Sequence, residues 1–322
     1  MRYRPLGFTG IQVSVIGFGA WGIGGRTPGA TSYGATDDAV SRRALDEAFD
    51  RGITFYDTAS VYGDGHSEAL IGECFQRRRS AIVIATKAGI TTSFRGYDFS
   101  PPALRASLEG SLRRLQTDYV DLLQLHNAGP DVILGQPHVV DLLNRFVAEG
   151  KIRAFGFSTP APEDAIPLVD IPGTACFQVN CNLLDWRAIE AGLFDRARSG
   201  NIGIIARTPL AFGFLAGGLD KDTVFTADDH RSKWPRARMA AWIEAADRIV
   251  ADLDIPDDPQ SRVVLALRFC LSFEAVASVI PGMLSPAQVL ANVAAGAAEP
   301  LDPSVIRRIR TVYRQYEAQL KA

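Results

Sequence analysis

Four side chains able to carry or tune a proton follow three successive apolar runs in the first half of the chain. Asp57 and Tyr62 lie in FYDTASVYGDGHSEALIG, Lys87 follows VIAT, and His126 closes LLQLH. A phenol is a weak acid, and a neighbouring ammonium favours its phenolate and so eases proton transfer in both directions. A carboxylate can hold that ammonium, and an imidazole can hydrogen-bond a substrate oxygen. Together they suit a reaction in which negative charge appears on an oxygen and is protonated at nearly the same time, as when hydride reaches a carbonyl carbon. Singly, each has a plainer role: packed aromatic, helix cap, solvated lysine, structural histidine. Their arrival at three consecutive run ends turns the reading toward catalysis.

The elements that must position them are legible. Eight short apolar runs recur at Val15–Gly19, Ile53–Asp57, Ile82–Thr86, Val120–Leu125, Ala154–Phe157, Phe177–Asn180, Ile202–Ala206 and Val276–Ile280, each followed by a helical pattern. Continuous apolar strands alternating with amphipathic segments predict an α/β fold with a parallel sheet, and eight units predict a (β/α)8 TIM barrel, where chemistry collects at strand ends. Helix starts are marked by Asp37-Asp38, Ser67, Ser100-Pro101 and Ser285-Pro286, with Gly52 as a stop. Gly7 and Gly10 predict a hairpin within Tyr3–Val15, ahead of the first barrel strand. A long polar loop is expected from Gly217 to about Ala240, after the seventh strand; it contains Trp234 and reads as a cover for substrate, with a solvated insertion as the alternative. With no linker and no repeat, residues 1–322 read as a single domain.

Composition narrows the partners. Basic residues number 34 against 36 acidic, for a net charge of −2, and they are scattered, so neither nucleic acid nor an anionic membrane is an expected partner. No apolar run approaches the length of a membrane-spanning helix. Cys74, Cys176, Cys181 and Cys270 form no CxxC pair and no metal-ligand cluster, so core thiols, no metal and a cytoplasmic location are expected.

These motifs, with GFST, FQVNCNLLD, PLAFGFLAGG and SVIPGMLSPAQVLANV in the same order, resemble the aldo-keto reductase superfamily over nearly the whole chain. The spacing of Gly17, Gly19 and Gly22 mimics a Rossmann fingerprint, which the later motifs do not support. The resemblance implies an NAD(P)H-dependent oxidoreductase that reduces an aldehyde or ketone. It makes Tyr62 the general acid, Lys87 and Asp57 its tuning pair, and His126 the group that orients the carbonyl. The substrate pocket would draw on Trp21, Tyr62, His126 and Trp234. For the cofactor it implies Gly19, Ala20, Trp21 and Asp57 at the mouth, and Ser158, Thr159 and Gln178 toward the nicotinamide carboxamide. Pro209, Leu210, Gly213 and Leu215 would wrap the pyrophosphate, while Gly282, Leu284, Gln288 and Asn292 would lie along the adenosine.

Two departures from the family pattern stand out. Arg207 replaces a Tyr that stacks on the nicotinamide in many relatives; its planar guanidinium can also stack, and its charge weighs against the cationic oxidised ring. Leu284 stands where a cation commonly grips the adenosine 2′-phosphate. NADP(H) is the expected cofactor on family usage, with NAD(H) the alternative. A small carbonyl or alcohol is the expected partner, and the oligomeric state stays open. The rival functions are NAD-dependent oxidation of an aldose or secondary alcohol, and a nucleotide-binding regulatory subunit.

Overall fold

The computed structural model describes residues 1–27 and 31–321. A hairpin of β1 (Tyr3–Pro5) and β2 (Gln12–Ser14) comes first, its strands antiparallel with Arg4 opposite Val13. All eight apolar runs then form strands: β3 (Phe18–Gly19), β4 (Phe55–Asp57), β5 (Val83–Ala88), β6 (Val120–His126), β7 (Ile152–Ser158), β8 (Thr174–Asn180), β9 (Gly203–Arg207) and β10 (Val276–Val279). They lie parallel and in chain order across one sheet. Parallel bridges Ile16–Val279 and Gly19–Gly282 join the last strand to the first and close the sheet into a barrel.

The seam explains the early glycines. A Cβ on Gly19 would stand 2.7 Å from the Ile280 carbonyl oxygen, and one on Gly17 would stand 2.7 Å from the Phe55 ring. Close strand approach, rather than a phosphate-binding turn, is what these positions serve.

Helices clothe the barrel: α1 (Asp38–Asp50), α2 (His66–Phe75), α3 (Pro101–Leu115), α4 (Pro130–Leu134), α5 (Pro137–Ala148), α6 (Arg187–Glu190), α7 (Leu193–Ser199), α8 (Arg236–Leu253), α9 (Pro259–Leu271), α10 (Pro286–Ala297) and α11 (Pro303–Lys321). Asp37 caps α1 by accepting from the amides of Ala39 and Val40. Ser67 is not a cap: α2 begins at His66, and the Ser67 hydroxyl instead donates to the Ala20 carbonyl at 2.8 Å. None of the helices described is long and apolar enough to cross a membrane.

Side chains pack on both faces of the sheet. Inside, Phe55, Val83, Leu122, Ala154, Cys176 and Ile205 meet Leu6, Ile11 and Val13, so the hairpin floors the barrel at its N-terminal end. Outside, Leu45, Leu108, Leu143, Leu265 and Val289 fill the layer between strands and helices. Burying each such side chain contributes about 1.5–3 kcal/mol. All four cysteines are free thiols, but Cys74, on α2, is only half-buried and is not the core residue expected.

The long polar segment is shorter than its composition suggests, because α8 starts at Arg236 behind Pro235. Much of it is exposed to solvent, Val224 at 77%, but it is anchored near residues 228–230. Asp229 is buried and bridges Ser32, the His230 amide donates to the Ser32 carbonyl at 2.8 Å, and Arg26 pairs with Asp228 at 2.9 Å. The segment is thus strapped to the loop that follows β3.

At the opposite end, Asp121 ties three strands together. Its carboxylate accepts from Arg79 Nη2 at 2.7 Å, the Ile84 amide at 2.9 Å and Arg153 Nη1 at 2.7 Å. Removing it leaves the largely buried Arg79 guanidinium without its counter-charge. Asp121→Ala should therefore lose about 3–5 kcal/mol of stability, read as a lower urea midpoint, with turnover per folded molecule unchanged.

Candidate active site

The four proton-handling side chains converge at the C-terminal mouth of the barrel. Asp57 ends β4, Lys87 lies within the last turn of pleat of β5, and His126 ends β6. Tyr62 sits in a tight loop whose Gly63, Asp64 and Gly65 take left-handed φ values of 61°, 50° and 98°. That loop is pressed on its neighbour, since a Cβ on Gly63 would fall 2.0 Å from the Gly24 carbonyl oxygen. Helix α2, which follows it, is pinned by the buried Glu68 to the Thr86 hydroxyl at 2.5 Å and to Arg114 Nε at 2.7 Å. Thr86 directly precedes Lys87, so one contact fixes the two arms of the site relative to each other.

Lys87 is fully buried, and its ammonium is saturated. It donates to Asp57 Oδ1 at 2.5 Å, to the Thr58 carbonyl at 2.8 Å and to the Tyr62 hydroxyl at 3.2 Å. Asp57 Oδ2 accepts from Gln178 Nε2 at 2.7 Å and from Gln124 Nε2 at 3.1 Å. Burial works against the ammonium, but the Asp57 charge, with Tyr62, outweighs it and holds the lysine above its ordinary range.

Tyr62 and His126 complete the mouth, their ring centroids 5.8 Å apart. Burial raises the phenol above its ordinary pKa; Lys87 and, more weakly, Arg207 pull it down, while Asp57 adds to the rise. Lys87 therefore acts in the direction expected from the sequence, but Asp57 offsets part of its charge and desolvation prevails. Burial, then the charges of Lys87 and Arg207, push His126 well below the ordinary histidine range. The imidazole is neutral, and its Nδ1 is buried without a hydrogen-bond partner among the described residues.

The aromatic surroundings only partly match expectation. Trp21 lies 6.4 Å from Tyr62 between ring centroids, and its buried Nε1 has no partner among the described residues. Trp234 does not reach this ring pair. It packs on His230, Phe212, Phe214 and Trp242, and His230 stands between it and Trp21. The strapped segment thus presents His230 to the mouth, with burial holding that imidazole down to about 4. Phe94, 6.5 Å from His126, and Phe212, 6.4 Å from Trp21, are further neighbours that the sequence did not single out.

The residues expected to hold a dinucleotide divide into two groups. Some present open surface. A Cβ on Gly282 would meet nothing within 4 Å, so a ligand can approach the backbone there, and Ser285 opens α10 beside Gly282. With the unpartnered Trp21 and His126 atoms, this surface fits a nicotinamide dinucleotide running from the mouth toward α10.

Others are engaged within the protein. The amides of Gly19 and Ala20 bond the Pro281 and Asp57 carbonyls, and the Asp57 carboxylate faces Lys87 and the two glutamines. Gln178 directs its amide to Asp57 rather than outward. The Thr159 hydroxyl donates to the Ala161 carbonyl. Pro209 is buried, and the Gly213 and Leu215 amides both bond the Leu210 carbonyl, within a loop where Thr208, Ala211 and Phe212 all have positive φ. Leu284 packs on the loop after β3, since a Cβ on Gly22 would lie 2.6 Å from Leu284 Cδ2; Gln288 Oε1 accepts the Leu284 amide at 2.7 Å, and Asn292 is buried.

Gln124 is the main residue that sequence reasoning missed. The signal was present: it is a lone amide in the apolar strand VDLLQLH, two residues before His126 and so on the same face of β6.

The chain matches known proteins over most of its length. The aldo/keto reductase family profile covers residues 15–314. Identity to the aldo-keto reductase YhdN of Bacillus subtilis (strain 168) is 31% over 258 residues, 77% of this chain and 75% of the relative. Identity to the NADH-specific methylglyoxal reductase of Escherichia coli (strain K12) is 30% over 311 residues, 92% of this chain and 93% of the relative. The holo form of the aldo-keto reductase AKR11C1 from Bacillus halodurans superposes with a TM-score of 0.79 at 28% identity, covering 97% of this chain and 96% of that one. The apo form of the same protein superposes with a TM-score of 0.72 at 26% identity, covering 97% of this chain and 96% of that one. A buried lysine–aspartate–tyrosine cluster at the mouth of a closed (β/α)8 barrel, and a profile match over nearly the whole chain, make this protein an oxidoreductase of the aldo/keto reductase family.

Proposed function

We propose that the protein reduces an aldehyde or ketone to an alcohol, with Tyr62 delivering the proton. The observation that carries this reading is the saturated Lys87 ammonium, which holds the Tyr62 hydroxyl at 3.2 Å beside the neutral His126. A bound, reduced nicotinamide supplies the hydride. His126 donates a hydrogen bond to the carbonyl oxygen and fixes it beside Tyr62. Tyr62 protonates that oxygen as negative charge develops on it, and Lys87 donates to the phenolate left behind. Asp57, held from its far side by Gln124 and Gln178, keeps the ammonium in register. Trp21, Phe94, Phe212 and His230 form a largely apolar wall that excludes water and suits a carbonyl compound of modest size.

For the cofactor, the observations favour NADH over the NADPH expected from family usage. The segment Gly282–Asn292 carries no basic side chain, Leu284 is committed to packing on Gly22, and Gln288 Oε1 is taken by a backbone amide. An NADH-specific relative supports the same choice. Comparing kcat/KM with the two nucleotides tests this directly, and a tenfold preference for NADPH would overturn it.

Tyr62→Phe should lower carbonyl reduction by roughly 10²–10⁴-fold while leaving nucleotide binding intact. A variant that keeps its activity removes Tyr62 as the acid and the reading with it. Reduction requires the protonated phenol, and burial raises that group's pKa in the free protein. The profile of kcat/KM against pH should therefore be level through neutrality on this account and fall only above about 10. Gln178→Met removes a hydrogen bond to a charged carboxylate, worth about 1.5–3 kcal/mol. Its expected signature is a drop of about tenfold or more in kcat with little change in cofactor affinity; a rise in cofactor Kd alone would return Gln178 to the carboxamide role.

A further inference from the structure

Arg207 ends β9 on the far side of the mouth from Lys87, and its hydrogen bonding can be accounted for in full. A guanidinium has five N–H donors. Nε donates to Asn180 Oδ1 at 2.8 Å, Nη1 to Asn127 Oδ1 at 2.9 Å and Ser158 Oγ at 3.1 Å, and Nη2 to the carbonyls of Thr159 at 2.8 Å and Pro160 at 3.4 Å. Five donors thus meet five acceptors, drawn from the ends of β6, β7 and β8. Asn127 takes a left-handed φ of 51° immediately after His126.

Every one of those acceptors is neutral. The nearby charges cancel among themselves: Lys87 is paired with Asp57, and Arg187 with Asp185 at 2.7 Å. Tyr62 and His126, the other titratable groups facing the guanidinium, are both uncharged at neutral pH. Among the described residues no carboxylate pairs with Arg207, which therefore leaves the mouth with one immobile positive charge and with no donor left to bind an anion directly. Its influence is through charge alone, at a half-buried position where solvent screens it only in part.

We propose that Arg207 is an electrostatic positioning residue for both halves of the reduction, supporting the Tyr62 phenolate while it exists and weakening the hold on the oxidised cofactor afterwards. The inference rests on the reductase reading. In the chemical step a hydride, carrying two electrons, forms the new C–H bond. The carbonyl π pair moves to oxygen and takes the Tyr62 proton, so the alcohol leaves neutral, the tyrosine is left as phenolate and the nicotinamide as a cation. The donor carbon must come within about 3–3.5 Å of the carbonyl carbon, which brings the nicotinamide ring into the same mouth as Arg207. While the phenolate persists, the two new charges compensate each other. Once a solvent proton restores Tyr62, the oxidised ring faces Arg207 with no counter-charge, and release of that product is favoured. One fixed cation thus assists proton delivery and biases the site toward turnover in the reductive direction.

Arg207→Met and Arg207→Lys test the proposal, the second keeping the charge without the five-point anchorage. Kd values for NADH and NAD⁺ are measured by fluorescence titration and competition. Tyr62 is titrated in the cofactor-free proteins by ultraviolet difference spectra, with Tyr62→Phe as the blank. With Met, the NAD⁺-to-NADH Kd ratio should fall about tenfold and the Tyr62 titration should move to higher pH; with Lys, both should stay near the parent values. A ratio within twofold of the parent in a folded Met variant, or equal changes in Met and Lys, would overturn the proposal. If neither nucleotide binds the parent protein, the reductase reading fails, whereas an unmoved Tyr62 titration refutes the role of Arg207 by itself.

Discussion

The site depends on burying one ammonium without leaving any of its protons unpaired. Taking a charge out of water costs several kcal/mol even after relaxation, and the cost is met only when geometry and hydrogen bonds are complete. Lys87 meets that condition with Asp57, the Thr58 carbonyl and the Tyr62 hydroxyl. Thr58 and Asp57 are adjacent in the chain and fixed by β4, whereas Tyr62 lies in a loop. The demand for a third acceptor is thus what draws the loop tyrosine to a defined place. The left-handed turn at 63–65 and the close approach of Gly24 follow from that demand, as does the Glu68 anchor of α2.

The pair also needs support from behind. A carboxylate that faced Lys87 alone would keep one oxygen unsatisfied in an apolar barrel, and Gln124 and Gln178 fill that role from β6 and β8. The network therefore reaches from β4 to β8 across the barrel interior. The seam closes beside it at Gly17 and Gly19, where a Cβ would collide with Phe55 and the Ile280 carbonyl.

The two cations of the mouth are handled in opposite ways. Lys87 has a counter-charge and is in contact with the Tyr62 hydroxyl; Arg207 has neither, and is held by amides, a hydroxyl and carbonyls from three strand ends. Burial and these two charges together keep His126 neutral, as the proposed role of hydrogen-bond donor to a carbonyl oxygen requires. Thr208, directly after Arg207, has positive φ, as do Ala211, Phe212 and Gly213, so the chain turns sharply where the guanidinium is anchored.

The sequence by itself determined the barrel and which four titratable side chains meet at its mouth. Periodicity is a local property, and eight apolar runs with helical segments between them leave few other architectures. The strand ends then locate Asp57, Lys87 and His126 without any knowledge of the loops. What a side chain does with its last hydrogen bond is not local, and there only the tertiary structure decided. Gln178 and Asp57 were expected beside a cofactor, and the fold adds a bond between them, Gln178 Nε2 to Asp57 Oδ2 at 2.7 Å, that the sequence does not show. Trp234 was expected in the pocket, but the strap between Ser32 and Asp229 puts His230 there instead. Gly213 and Leu215 were expected along the pyrophosphate, and the fold closes their amides on the Leu210 carbonyl within their own loop. The charge of Arg207 was plain in the sequence; that nothing neutralises it depends on which groups five strand ends bring within reach.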